Sequence, residues 1–227
     1  MTIGVGYSLT LKPQAKIIIN DTTYNSAPIY QKAANDSLRA IKNRTKLTVD
    51  ERGIKESLVR QFPEIDTVEL DLALFSQTPT LRLQVAKPVF NLSSGSNLYV
   101  VGSNGNVTAL SRALPGSDKL PTVTDQTGYV AEPGKPVLAS SAISFINSLL
   151  AQLEKANVPI STLVLPPLPQ ELHLRAADTT YYVKFYLGGD VLIQAGQYLA
   201  ARNKLASDNQ QNLQYVDVRV AGKIYYK

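Results

Sequence analysis

The chain has no cysteine, which excludes a disulfide framework, a thiolate nucleophile and a cysteine-ligated metal. A single histidine, His173, leaves any metal site to carboxylates. The 18 acidic residues form no Asp-x-Asp or Glu-x-x-Glu cluster. No serine sits in a Gly-x-Ser-x-Gly elbow. Gly102-Ser103-Asn104-Gly105-Asn106 lacks the lysine and following helix of a phosphate-binding loop. No catalytic residue, metal ligand or cofactor site is therefore expected. Long apolar runs are missing too, so nothing here crosses a bilayer as a helix as it stands. The start is the exception in character, since Ile3–Leu11 is apolar, Gly-containing and poorly patterned. Residues 1–14 fit either the outer end of a membrane helix or an ordinary first strand or frayed terminus.

What is present suits a globular protein of two small domains or one large one. There are 227 residues, 44% of them hydrophobic and 18% charged. A net charge of +5 permits an anionic partner without requiring one.

The most legible stretch is Thr48 to Val85. Thr48-Val49-Asp50-Glu51 has the form of a capping box, and Ile54, Leu58 and Phe62 then recur at helical spacing. Pro63 ends that helix. Val68, Leu70, Leu72 and Leu74 recur at alternate positions with Glu69 and Asp71 facing the other way, and Leu81, Leu83 and Val85 repeat the pattern around Arg82 and Gln84 after the Ser76–Pro79 turn, which predicts an antiparallel hairpin. Ahead of it, Ala15–Asn20 reads as a strand. Ser26 and Pro28 start a helix with Tyr30, Ala34, Leu38 and Ile41 on its apolar face, ending near Asn43. Residues 15–90 thus give a β-α-α-β-β module, an α+β arrangement with both helices on one sheet face. Eight Lys or Arg against four Asp or Glu between Lys32 and Arg60 mark either a partner-facing helix pair or the solvated side of two amphipathic helices. Aromatic residues that would stack nucleic-acid bases are not interleaved there.

Leu81–Phe90 reads as one long strand. Asn104-Gly105 signals a hairpin between Leu98–Val101 and Val107–Leu110. Residues 111–136 read as a long loop with a short strand at Leu120–Thr124. Ser140 or Ser141 caps a helix with Ile143, Ile146, Leu149, Leu150 and Leu153 inward. Ser161–Leu165 is a strand closed by Pro166-Pro167-Leu168-Pro169, a turn that also has the look of an SH3-groove ligand. Leu172–Arg175 and Thr180–Leu187 follow as strands, with His173 facing solvent. Gly188-Gly189-Asp190 leads into a strand at Val191–Ile193. A helix runs from about Ala195 with Arg202 and Lys204 outward, and Leu213–Val220 is the last strand. Residues 91–227 then form a mainly antiparallel β domain with two helices.

Several of these residues carry a resemblance. Phe62-Pro63-Glu64-Ile65, Thr80–Val85 followed by Lys87-Pro88-Val89, Tyr99-Val100-Val101 with Asn104–Val107, and Tyr215-Val216-Asp217-Val218-Arg219-Val220 occur in one order. Together they resemble the POTRA and β domains of the FtsQ/DivIB cell-division proteins over roughly residues 15–227. Two features depart from that family: its membrane helix is not in this chain, and Gly102-Ser103 replaces an aspartate common before the hairpin turn. The resemblance implies a non-catalytic extracytoplasmic scaffold, anchored in the inner membrane through a helix missing from this chain. Its partners would be FtsL/FtsB (DivIC)-like division proteins, docked by strand addition, and it would help regulate septal peptidoglycan synthesis. Nucleic acid and small-molecule substrates are not expected as partners. The alternatives are a POTRA-type chaperone or secretion module and a basic nucleic-acid-binding protein. The expected partner site is the final strand and its tail: Tyr215, Asp217, Arg219, Lys223, Ile224, Tyr225 and Tyr226. There, polar residues alternate with buried valines, and unpaired backbone at a sheet edge accepts an added strand.

Overall fold

A computed structural model describes residues 9–208 and 212–227; the expectations for Ile3–Ser8 lie outside them. The chain divides into two compact units, residues 1–87 and 88–227. It is α+β, with four helices, a three-stranded sheet and a nine-stranded mixed sheet among the described residues.

The first unit holds strand β1 (Lys16–Ile19), helices α1 (Ala27–Leu38) and α2 (Glu51–Gln61), and strands β2 (Ile65–Asp71) and β3 (Thr80–Val85). β3 is central, parallel to β1 and antiparallel to β2. Leu81, Leu83 and Val85 alternate on its buried face and share one core with Tyr30, Leu38, Ile54 and Leu58, so both helices cover that face. Glu64 is buried inside this unit, where its carboxylate accepts from the Tyr30 hydroxyl at 2.8 Å and the Asn25 amide at 2.8 Å. A buried carboxylate is tolerated when it is bonded in this way.

Four local expectations change here. Asp50, not Thr48, caps α2 by accepting from the Gly53 N–H. Thr48 is instead joined to the Thr45 hydroxyl, while Glu51 pairs with Lys55 one turn on. α1 ends at Leu38, before a separate 3-10 turn at Ile41–Asn43. β2 stops at Asp71, and Leu74 is 78% exposed despite continuing the alternation. The strand read as continuous from Leu81 to Phe90 is broken at Ala86-Lys87, because β4 (Pro88–Ser94) begins a different sheet. Toward the start, Leu11 is buried and its N–H bonds the Arg44 carbonyl, so the unit's order begins before Ala15.

The second unit continues with β5 (Asn97–Gly102), β6 (Val107–Leu110), β7 (Thr122–Asp125), α3 (Ser140–Lys155), β8 (Ile160–Leu165), β9 (Glu171–Ala176) and β10 (Tyr182–Tyr186). It closes with α4 (Val191–Ser207), β11 (Tyr215–Asp217) and β12 (Tyr225–Tyr226). The strand order is β12-β11-β10-β9-β8-β7-β4-β5-β6. Five of its eight pairings are antiparallel, and three (β4/β7, β7/β8 and β10/β11) are parallel. Two of the parallel pairs, β7/β8 and β10/β11, follow from helix crossovers. α3 links β7 to β8 and α4 links β10 to β11, and a helix crossover returns the chain in the same direction. Ile146, Leu149 and Tyr198 share the core with Leu172, Leu174, Val183 and Phe185, so the two helices cover one face of the sheet.

The 111–136 stretch contains two 3-10 turns, Ser111–Ala113 and Ser117–Lys119. Its short strand, β7, is an interior strand between β4 and β8 rather than a loop ornament. The residue flanking α3 is Ala139, without a side-chain cap, so neither Ser140 nor Ser141 has that role. Val191–Ile193 is the first turn of α4, not a strand: Asp190 accepts from the Leu192 and Ile193 N–H groups and so starts the helix. Arg202 is half-buried and pairs with Asp178 instead of facing outward.

Candidate partner-binding edge

The expected site residues lie on the last strands of the nine-stranded sheet, but not in one continuous strand. β11 spans only Tyr215–Asp217. The Asp217 side chain accepts from the Arg219 N–H at 3.1 Å, a local bond of the kind that competes with a strand ladder. The chain then turns at Ala221-Gly222, where Gly222 has φ +75°. Gln197 of α4 holds that turn, donating to the carbonyls of Val220 and Lys223 and accepting from Gly222 N–H. β12 folds back antiparallel to β11, pairing Tyr226 with Val216 and Tyr225 with Asp217. The outer strand is therefore β12, and β11 is second.

Lys227 bonds Tyr215 through its N–H and Gln214 through its carbonyl, both toward β11. Antiparallel alternation turns the N–H and C=O of Tyr226 the opposite way, outward from the sheet. Tyr225 is 51% exposed and Tyr226 55%. Ile224 and Lys223 are exposed beside them.

Tyr215, Asp217 and Arg219 belong to a different arrangement, on the sheet face opposite the helices. Arg219 bonds both Asp217 oxygens and ion-pairs with Glu171 of β9. Glu171 is buried and also meets His173 Nε2 at 3.1 Å. His173 does not face solvent: its side chain is 18% exposed, and its ring centroid lies 4.7 Å from that of Tyr182. Lys184 places its ammonium 4.0 Å from the Tyr215 ring centroid, a cation–π contact. Burial pushes the His173 imidazole below its ordinary pKa, outweighing the pull of Glu171. Burial also opposes ionisation of Asp217, but its bonds from Arg219 prevail and hold it below the ordinary carboxylate value.

Sequence reasoning grouped Tyr215–Tyr226 by position in the chain. The fold separates an outward pair, Tyr225 and Tyr226, from a bonded brace of Glu171, His173, Asp217 and Arg219. Glu171 and Lys184 were missed because only cross-strand register brings them to Arg219 and Tyr215. Among the described residues no group of three metal-ligating side chains converges. The chain matches no protein-family model, and no curated protein matches it in sequence.

Proposed function

We propose that this chain is an extracytoplasmic scaffold of the bacterial division machinery, of the FtsQ/DivIB kind, that takes up a strand from an FtsL/FtsB (DivIC)-like partner at β12. In this reading residues 15–87 act as a POTRA domain and residues 88–227 as the β domain. It has no catalytic role, and a membrane helix outside this chain anchors it. The observation that carries the proposal is the outward backbone of Tyr226 at a sheet margin, where the side chains of Tyr226 and its neighbour Tyr225 are both half-exposed. Added-strand partners gain affinity from main-chain hydrogen bonds, and tyrosines are enriched among interface hot spots.

The basic stretch of the first unit lends little support to a nucleic-acid reading. All four of its acidic residues are paired, Asp36 with Arg39, Asp50 with Lys42, Glu51 with Lys55 and Glu56 with Arg52. Those pairs mix both signs along a solvated surface and take up four of the eight basic residues.

The test is a pull-down and titration with the FtsB/DivIC-like protein of the same organism. Deleting Ile224–Lys227, or Ile224→Pro, is expected to abolish binding while circular dichroism stays unchanged. Equal affinity in both variants contradicts the proposal.

A further inference from the structure

Two segments that the edge does not use face each other across a cavity of about 400 Å³. One wall is Thr127–Leu138, after β7; the other is the Pro166-Pro167-Leu168-Pro169 turn after β8. Both lie beyond the carboxyl ends of parallel strands, where open sheets with helix crossovers commonly place ligands. The volume falls in the range of ligand clefts.

The rim is apolar and open. Tyr129 is 82% exposed, Val130 81% and Leu168 53%, three large side chains that elsewhere would be core. Prolines hold the second wall with fixed φ, so little ordering is needed on binding. At its end Gln170 takes φ +59°, uncommon for a residue other than glycine.

The cavity's charge is the reverse of the chain's. Against a net +5 overall, the lining carries Asp125, Glu132 and Glu171 with Lys135 as its one cation. Glu171 is offset by Arg219, which Asp217 shares. Asp125 is held by the Ser94 and Thr127 hydroxyls and the Thr127 N–H, all neutral donors. Glu132 is exposed and forms no ion pair among the described residues.

We infer that this cavity is a second docking site, for a peptide segment that presents an aliphatic or aromatic anchor next to a lysine or arginine. The anchor enters between Leu168 and Tyr129–Val130, and the cation meets Asp125 and Glu132. An acidic segment is disfavoured, because its charge would face Asp125 and Glu132 with Lys135 as the lining's one cation, and a purely polar segment has no anchor for the apolar rim. The site stands apart from the β12 edge: β11, β10 and β9 lie between β12 and β8 in the sheet. It needs no division partner to be real.

The test is selection of random dodecapeptides displayed on phage against the full chain. Enriched clones are expected to pair a large apolar residue with Lys or Arg. Their binding should weaken roughly fivefold on Glu132→Lys, the size of one exposed ion pair, and further on Leu168→Asp. Val130→Ser, at a more exposed position, repeats the apolar test if Leu168→Asp disturbs the fold. Deleting Ile224–Lys227 should leave these clones bound. Clones indifferent to all three rim substitutions, enrichment of acidic peptides, or no enrichment at all would overturn the inference.

Discussion

The nine-stranded sheet has two outer strands, and they are finished in opposite ways. At β6, Val107 gives its N–H to Lys135 and accepts from Gly134, and Asn106 bridges Pro136, so a returning segment covers the margin. At β12, the two-residue strand is held from inside by Tyr215 and Gln197, and Tyr226 keeps its backbone directed outward. Exposed edges invite foreign strands, and proteins commonly blunt them. On the proposed reading, covering one edge with backbone and leaving the other short but tyrosine-bearing separates a structural margin from a recognition margin.

If that contrast is right, damage to the covered edge should cost stability and damage to the open edge should cost binding. The largest stability effect is expected for Gly105→Ala. Gly105 has φ +83°, and a Cβ there would run into the Leu138 carbonyl of the covering segment. Strain and displaced backbone should together cost about 3 kcal/mol in denaturant unfolding.

Arg219→Ala should come next, at about 2 kcal/mol, because buried Glu171 would keep only His173 as a partner. Its effect on strand addition should be smaller than that of Ile224→Pro, since Arg219 braces the sheet rather than lining its margin. Deleting Ile224–Lys227 should change stability less than Arg219→Ala does, since it removes exposed side chains and the β12 backbone pairing but leaves the Arg219–Glu171 pair in place.

The smallest effect is on pH dependence. His173 binds its proton less well folded than unfolded. Between its folded value and the ordinary one near 6.5, the unfolded chain therefore carries more protons, and stability falls as pH drops through that window. His173→Gln should flatten the slope of unfolding free energy just below that value. The Asp217 contribution should be lost only at lower pH, below the ordinary carboxylate value.

Much of the local structure was legible because it depends on near neighbours. Helical spacing in Ile143–Leu153 shows directly which face is buried, whereas alternation in Leu172–Arg175 shows the core face of Leu172 and Leu174 but not that Glu171 is buried on the other. Misreadings arose where two local signals competed. β-branched Val191–Ile193 looked like a strand, yet the Asp190 cap one residue earlier decided for helix. Leu72 and Leu74 continued a strand pattern beyond the end of β2. The sheet order, the interior place of β7 and the Glu171–Arg219 contact join residues distant in sequence, so no local pattern carries them. The candidate edge was half legible: Tyr225 and Tyr226 were named, but the fold-back that makes them the outer strand depends on Gln197 and Gly222 together.

The account turns on one backbone group, the outward N–H of Tyr226, and semisynthesis of this chain reaches it. A chain with N-methylated Tyr226 keeps every side chain and loses only the outward donor. Titration with the FtsB/DivIC-like protein should then show affinity lower by at least about tenfold, with unfolding unchanged, while an untreated ligation product binds normally. Equal affinity for the methylated and unmodified chains would contradict strand addition at β12.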